Sequence, residues 1–113
     1  MHEASLMASA LELACAHARE AGASRVQRVR LRVGELSGVV PEALEFAFAA
    51  LTTSGPAQGA VLEIEAVPAV YWCADCQGEF DAHAATPECP RCGVWSHRLK
   101  HGLELELSTL EVA

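Results

Sequence analysis

Cys73-Ala74-Asp75-Cys76 and Cys89-Pro90-Arg91-Cys92 are two Cys-x-x-Cys pairs separated by twelve residues. Two residues between thiolates let one tight turn aim both sulfurs at one tetrahedral ion. Cys73, Cys76, Cys89 and Cys92 together fill that tetrahedron and predict a single Zn(II) site. The zinc would be structural, because a catalytic zinc keeps one position open. Gly78 and Gly93 follow the two pairs, where such turns call for positive φ. The rival chemistry is a redox dithiol, but a thioredoxin-like site uses one Cys-x-x-Cys beside a helix, not two pairs in a loop-rich stretch. The fifth cysteine, Cys15, lies among alanines and leucines and reads as a small buried hydrophobe.

A second candidate stands at the other end of the chain. In Met1-His2-Glu3 the bulky second residue protects the initiator methionine from removal. The His2 imidazole, its own backbone nitrogen and a neighbouring backbone nitrogen can close fused chelate rings on one ion. Nitrogen ligands in that arrangement favour square-planar Ni(II) or Cu(II). Taken alone, a histidine at position 2 is ordinarily a solvated terminal residue.

The elements that must carry these groups follow from periodicity. Residues 4–21 read as a helix, with Leu6, Ala10, Leu13, Ala14 and His17 recurring at three- and four-residue steps and Gly22 as a stop. Residues 25–33 alternate, placing Val29, Leu31 and Val33 on one face and Arg28, Arg30 and Arg32 on the other, as in a half-buried strand. Gly34 and Gly38 bracket a turn. Pro41 suits the first position of a second helix running to about Leu51, with Leu44, Phe48 and Leu51 inward. Residues 52–59 form a loop. Residues 61–67 make a strand with Glu63 and Glu65 on its outer face. Residues 103–107 make another, with Leu103, Leu105 and Leu107 opposite Glu104 and Glu106. Either the arginine strand pairs with the glutamate strands, or these charges are simply solvated.

Residues 71–100 break both periodicities and contain all four paired cysteines. The expected architecture is α+β: two helices on a three-stranded sheet, with an inserted zinc-ribbon-like module. Residues 1–70, completed by 101–113 as the last strand, form one domain, and residues 71–100 form the insert.

At 113 residues there is room for one modest core and a small satellite. Apolar residues make up 51% but aromatics only 5%, which implies a thin aliphatic core. A net charge of −7 argues against attraction to phosphate backbones. No apolar run approaches a membrane span, no signal peptide opens the chain, and metal-type cysteine pairs suit a reducing compartment, so a cytoplasmic location is expected. The alternative function is a zinc-ribbon nucleic-acid or protein-interaction module. Its nucleic-acid form needs a basic face, yet residues 71–100 carry four acids against three bases. A thiol oxidoreductase is a third reading and would require labile zinc with reversible disulfide formation.

Met1-His2-Glu3, the stretch Val33-Gly34-Glu35-Leu36-Ser37-Gly38-Val39-Val40-Pro41-Glu42-Ala43-Leu44, Leu62-Glu63-Ile64-Glu65, the paired cysteine motifs and the closing Leu107-Ser108-Thr109-Leu110-Glu111 together resemble the HypA/HybF family over essentially the whole chain. The resemblance implies a nickel metallochaperone for [NiFe]-hydrogenase maturation, and in some organisms urease. It also implies a carrier rather than an enzyme, working with a HypB-type GTPase and handing nickel to the hydrogenase large subunit. His2 matches the family's nickel ligand through its imidazole, with the backbone nitrogens of His2 and Glu3 assisting; Cys73, Cys76, Cys89 and Cys92 match the zinc ligands. Some relatives carry a histidine directly after a Cys-x-x-Cys pair, where this chain has Gln77 and Gly93, which argues against a pH response at zinc. The fourth nickel ligand stays open. His83, His97 and His101 read as solvated residues in or beside the insert, and His17 as core- or partner-facing. An exposed edge strand or apolar helix face could support a homodimer.

Overall fold

The computed structural model describes residues 3–82 and 86–113. The chain divides into two compact units. The first comprises Met1–Arg32, Val39–Glu65 and Glu106–Ala113, and the second Val33–Gly38 and Ala66–Leu105.

In the first unit, helix α1 (Glu3–Glu20) buries Met7, Leu11, Ala14 and Ala18. These recur at steps of four, three and four, a single stripe on one face. The expected stripe is therefore rotated: Leu6 and Ala10 flank it half-buried, Leu13 is 48% exposed and His17 is exposed. In a helix rich in alanine, several faces are weakly apolar, so periodicity finds the helix more readily than its buried meridian. The stop at Gly22 is a Schellman-type end. Ala23 N–H reaches back to the Ala18 carbonyl and Gly22 N–H to that of Arg19, with Gly22 at φ +76°. Helix α2 (Pro41–Leu51) packs against α1 and buries Leu44, Ala47 and Phe48. Leu51, expected inward, is 45% exposed, because the stripe of Leu44 and Phe48 continues at the buried Thr52, whose hydroxyl bonds the Phe48 carbonyl.

Strands β1 (Val26–Gly34), β2 (Val61–Val67) and β6 (Leu105–Val112) form a sheet in the order β2-β1-β6. Arg25 and Ala113 exchange both backbone bonds, so β6 runs antiparallel to β1. The arginine strand is central and has a glutamate strand on each side. Arg28 pairs with Glu63 and with Glu111 at 3.0 Å, and Arg32 with Glu65 at 2.9 Å and Glu106 at 2.6 Å; Arg30 lies 3.6 Å from Glu63. Pairing, not mere solvation, is thus the state of this face. Each exposed pair contributes only about 0–1 kcal/mol. Their greater consequence is order: with β2 beside β6, glutamates would face glutamates, and like charges opposed across a ladder are unfavourable.

The last strand starts later and runs further than its leucine alternation suggested. Leu103 is 63% exposed and Leu105 39%, while Leu107, Leu110 and Val112 are half-buried. The cause is a turn held by Glu104, whose carboxylate accepts the Gly102 N–H at 2.7 Å and lies 3.2 Å from His101 Nδ1. Burial opposes the charge on Glu104, but the Gly102 and Glu104 N–H groups, then His101, hold it below the usual carboxylate range. A depressed folded-state pKa stabilises above the unfolded value, and that stability is lost as pH falls through the folded one. The urea midpoints of wild type and Glu104→Gln are therefore expected to differ at neutral pH and to converge in acid.

In the second unit the Val33–Gly38 segment is stitched to distant chain by Gly34 N–H to the Glu104 carbonyl, Leu36 N–H to that of Gly102 and Glu35 N–H to that of Val67. A Cβ on Gly34 would stand 2.2 Å from the Gly102 oxygen and 2.6 Å from the Glu104 nitrogen, both backbone atoms. Gly34→Ala is accordingly expected to cost about 1–3 kcal/mol or more through forced backbone displacement, read as a lower denaturant midpoint. Strands β3 (Val70–Cys73), β4 (Gly78–Asp81) and β5 (Leu99–His101) form the second sheet, in the order β4-β3-β5. Among the described residues no helix is long and apolar enough to cross a membrane.

Candidate metal centre

The first cysteine pair closes the β3–β4 hairpin, whose last register pair is Cys73 with Gly78. Cys76 N–H points at the Cys73 sulfur at 3.4 Å, so backbone and thiol share one turn. The residue with positive φ here is Gln77, at +51°, and not Gly78, which lies in β4. The second pair sits in a smaller turn closed by a bridge between Glu88 and Trp95. There Cys89 N–H bonds the Val94 carbonyl at 3.0 Å, and Gly93, at φ +76°, bonds back to the Cys89 carbonyl at 2.8 Å. Ser96 ties this segment to β3: its hydroxyl donates to the Trp72 carbonyl, while Trp72 N–H reaches the Arg98 carbonyl.

These two turns bring the four predicted cysteines together, with their sulfurs all within 4.8 Å of one another. Cys73 and Cys92 sulfurs are 3.5 Å apart and those of Cys76 and Cys89 4.0 Å. Zn–S bonds of about 2.3 Å in a tetrahedron place sulfurs about 3.8 Å apart, so the donor set and its dimensions fit zinc. The separations are too long for a disulfide, and all five cysteines are free thiols. Cys73 and Cys89 are buried, Cys76 and Cys92 exposed. Among the described residues this is the one convergence of three or more such ligands.

The sulfurs do not ionise alike. Burial opposes a thiolate at Cys89, but backbone N–H groups of Cys92 and Arg91 outweigh it and bring the thiol down to about 6. At Cys92 the Val94 N–H favours the thiolate, yet the Cys73 sulfur, burial and the other two sulfurs push it up to about 12. One crowded sulfur gives up its proton readily and another resists, the behaviour of like charges sharing a site. A divalent ion relieves that repulsion by taking all four as thiolates.

The remaining candidates are scattered. Met1, His2 and His83 lie outside the described residues. Glu3 opens α1, and its carboxylate accepts the Val40 N–H at 3.2 Å, placing negative charge at the N-terminus of α2. His17 is exposed and 3.8 Å from Glu20 rather than in the core. His97 is exposed, and His101 faces Glu104. Cys15 is half-buried and lines a groove with Leu11, Leu51 and Ala57, not the sealed position expected of it. Ser96 and Arg91 carry no spacing signal that would have marked them as supports of the cysteine cluster.

The family model for hydrogenase/urease nickel incorporation metallochaperones, HypA, matches residues 1–112. The hydrogenase maturation factors HypA of Chloroflexus aurantiacus and Geobacter metallireducens are 43% and 42% identical to this chain over 112 residues; the match covers 98% of each chain in the first case and 99% in the second. The solution structure of the Ni metallochaperone HypA from Helicobacter pylori is similar at a TM-score of 0.69 and 28% identity, over 99% of this chain and 97% of that one. A solution structure of a HypA protein is similar at a TM-score of 0.74 and 27% identity, over 100% and 97%. With a four-cysteine centre, two helices and two small sheets, and with relatives matched along nearly their whole length, this chain belongs to the HypA family of hydrogenase maturation metallochaperones, which are not enzymes.

Proposed function

We propose that this protein carries Ni(II) and delivers it during assembly of [NiFe]-hydrogenase. The observation that carries the reading is the match to a nickel-incorporation family over residues 1–112, which takes in the Met1-His2-Glu3 terminus. Nickel is cargo: the His2 imidazole and the backbone nitrogens of His2 and Glu3 hold it, in a chelate open enough to release it. A HypB-type GTPase is the partner in transfer and the hydrogenase large subunit the recipient, with urease a second client where the cell makes one. The cytoplasm is where these partners would meet. Residues 1–70 with 101–113 form the nickel-binding domain. The insert of 71–100 is fastened by zinc on Cys73, Cys76, Cys89 and Cys92, which supplies no chemistry beyond holding the two turns together.

The test is transfer. Protein loaded with one equivalent of nickel is mixed with nickel-free hydrogenase large subunit, with and without the GTPase, and nickel is followed into the large subunit. Movement of nickel is expected. Retention on this chain under both conditions would overturn the assignment.

A further inference from the structure

Arg91 stands between the ligands Cys89 and Cys92, where the spacing of the motif asks nothing of it. Its guanidinium Nη2 lies 3.4 Å from the Glu79 carbonyl on β4, so the side chain reaches from the turn of the second cysteine pair to the strand that leaves the first. A Cβ on Gly78 would come within 3.2 Å of that same Nη2, so the guanidinium would have to give by a few tenths of an ångström. Gly78 is not at positive φ. Its smallness is therefore not required by the turn, whereas it does admit Arg91.

Four thiolates around Zn(II) leave the centre with a charge of about −2. Cys76 and Cys92 are exposed, so water, protons and competing ligands reach this charge from outside. A fixed cation over the junction of the two pairs opposes protonation of the sulfurs and their departure from the metal. Guanidinium suits the task, since its planar fork can bond a carbonyl while keeping donors for other acceptors, and it does not deprotonate.

We propose that Arg91 is a positioning residue of the four-cysteine centre, a cation carried by one cysteine turn and anchored on the strand that leaves the other, and that it slows metal release. The inference rests on the cluster holding zinc. Outer-sphere partners of metal ligands typically alter affinity by about 10–100-fold. Zinc release from the full-length protein to a chromogenic chelator is thus expected to be about 10-fold or more faster in Arg91→Ala. In Arg91→Lys, which keeps the charge but not the fork, the rate is expected to be intermediate. Gly78→Ala crowds the far end of Arg91 and is expected to speed release less. In the Arg91→Ala background it is expected to add nothing, because it acts through the side chain already removed.

Wild type and variants are first assayed for zinc content. Wild type lacking one zinc per chain would overturn the zinc reading and the inference with it. Stoichiometric zinc with equal release rates in wild type and Arg91→Ala would overturn the inference alone. Equal acceleration by Arg91→Lys and Arg91→Ala would also overturn it, since charge would then be irrelevant.

Discussion

His2→Ala is expected to abolish stoichiometric nickel binding while leaving zinc content and the far-UV spectrum unchanged. The imidazole and two backbone nitrogens make fused rings, so losing one donor opens a ring as well as emptying a coordination position. Even outer-sphere partners cost about 10–100-fold in metal affinity. Loss of a direct ligand should therefore exceed about 100-fold. The zinc ligands are four cysteines between positions 73 and 92, and their sulfurs converge on one another. One control is essential. Alanine at position 2 is small enough to permit methionine removal, which would shift the terminal amine by one residue. His2→Gln keeps a bulky second residue and should lose nickel equally. Wild-type loading should rise with pH through about 6.5, as the imidazole becomes neutral and able to bind metal. Titration calorimetry giving an unchanged nickel affinity in His2→Gln would refute the site.

The two cysteine pairs were legible because a metal knuckle is local: two thiols and the turn between them occupy four consecutive residues. Even there the strained residue was missed, since sequence does not distinguish Gln77 from Gly78 as the position that turns. Helices and strands were found by period, but period alone does not fix phase. Alanine-rich α1 therefore hid its Met7–Ala18 stripe, and Leu103 looked like a core leucine until Glu104 was seen to fold back on Gly102. Partners distant in sequence were the least legible. Arg28 finds Glu63 and Glu111 only once β1 lies between two strands. Gly34 has no visible reason to be glycine until the Gly102 carbonyl is beside it. The Glu3 carboxylate, of interest at first only through its backbone nitrogen, turns out to serve the start of α2.

Withdrawing zinc is expected to melt the second unit and to spare the helices of the first. One buried cluster of the second unit consists of Cys73, Phe80 and Cys89, with Tyr71 packed on it and its ring 5.9 Å from that of Phe80. Two of those three are metal ligands, so this cluster and the metal site are nearly the same object. Burying one aromatic side chain contributes about 1.5–3 kcal/mol, against about 10–16 kcal/mol of apparent binding energy for structural zinc in finger peptides. Without the ion, crowded sulfurs replace a bonded centre. Rebinding should release protons near neutral pH, because thiols of the melted unit have an ordinary value of about 8.5 and must ionise to bind. Zinc affinity should accordingly fall as pH drops. The chain offers a selective reporter, since both tryptophans, Trp72 and Trp95, lie in the second unit and both helices in the first. Chelation should shift tryptophan emission and expose residues 66–105 to protease, while helical circular dichroism persists. Cys73→Ser and Cys89→Ser should reproduce this, each removing a ligand that is 1–2% exposed. Emission and protease resistance that survive complete zinc removal would show instead that Phe80 and its neighbours hold this unit together without the metal.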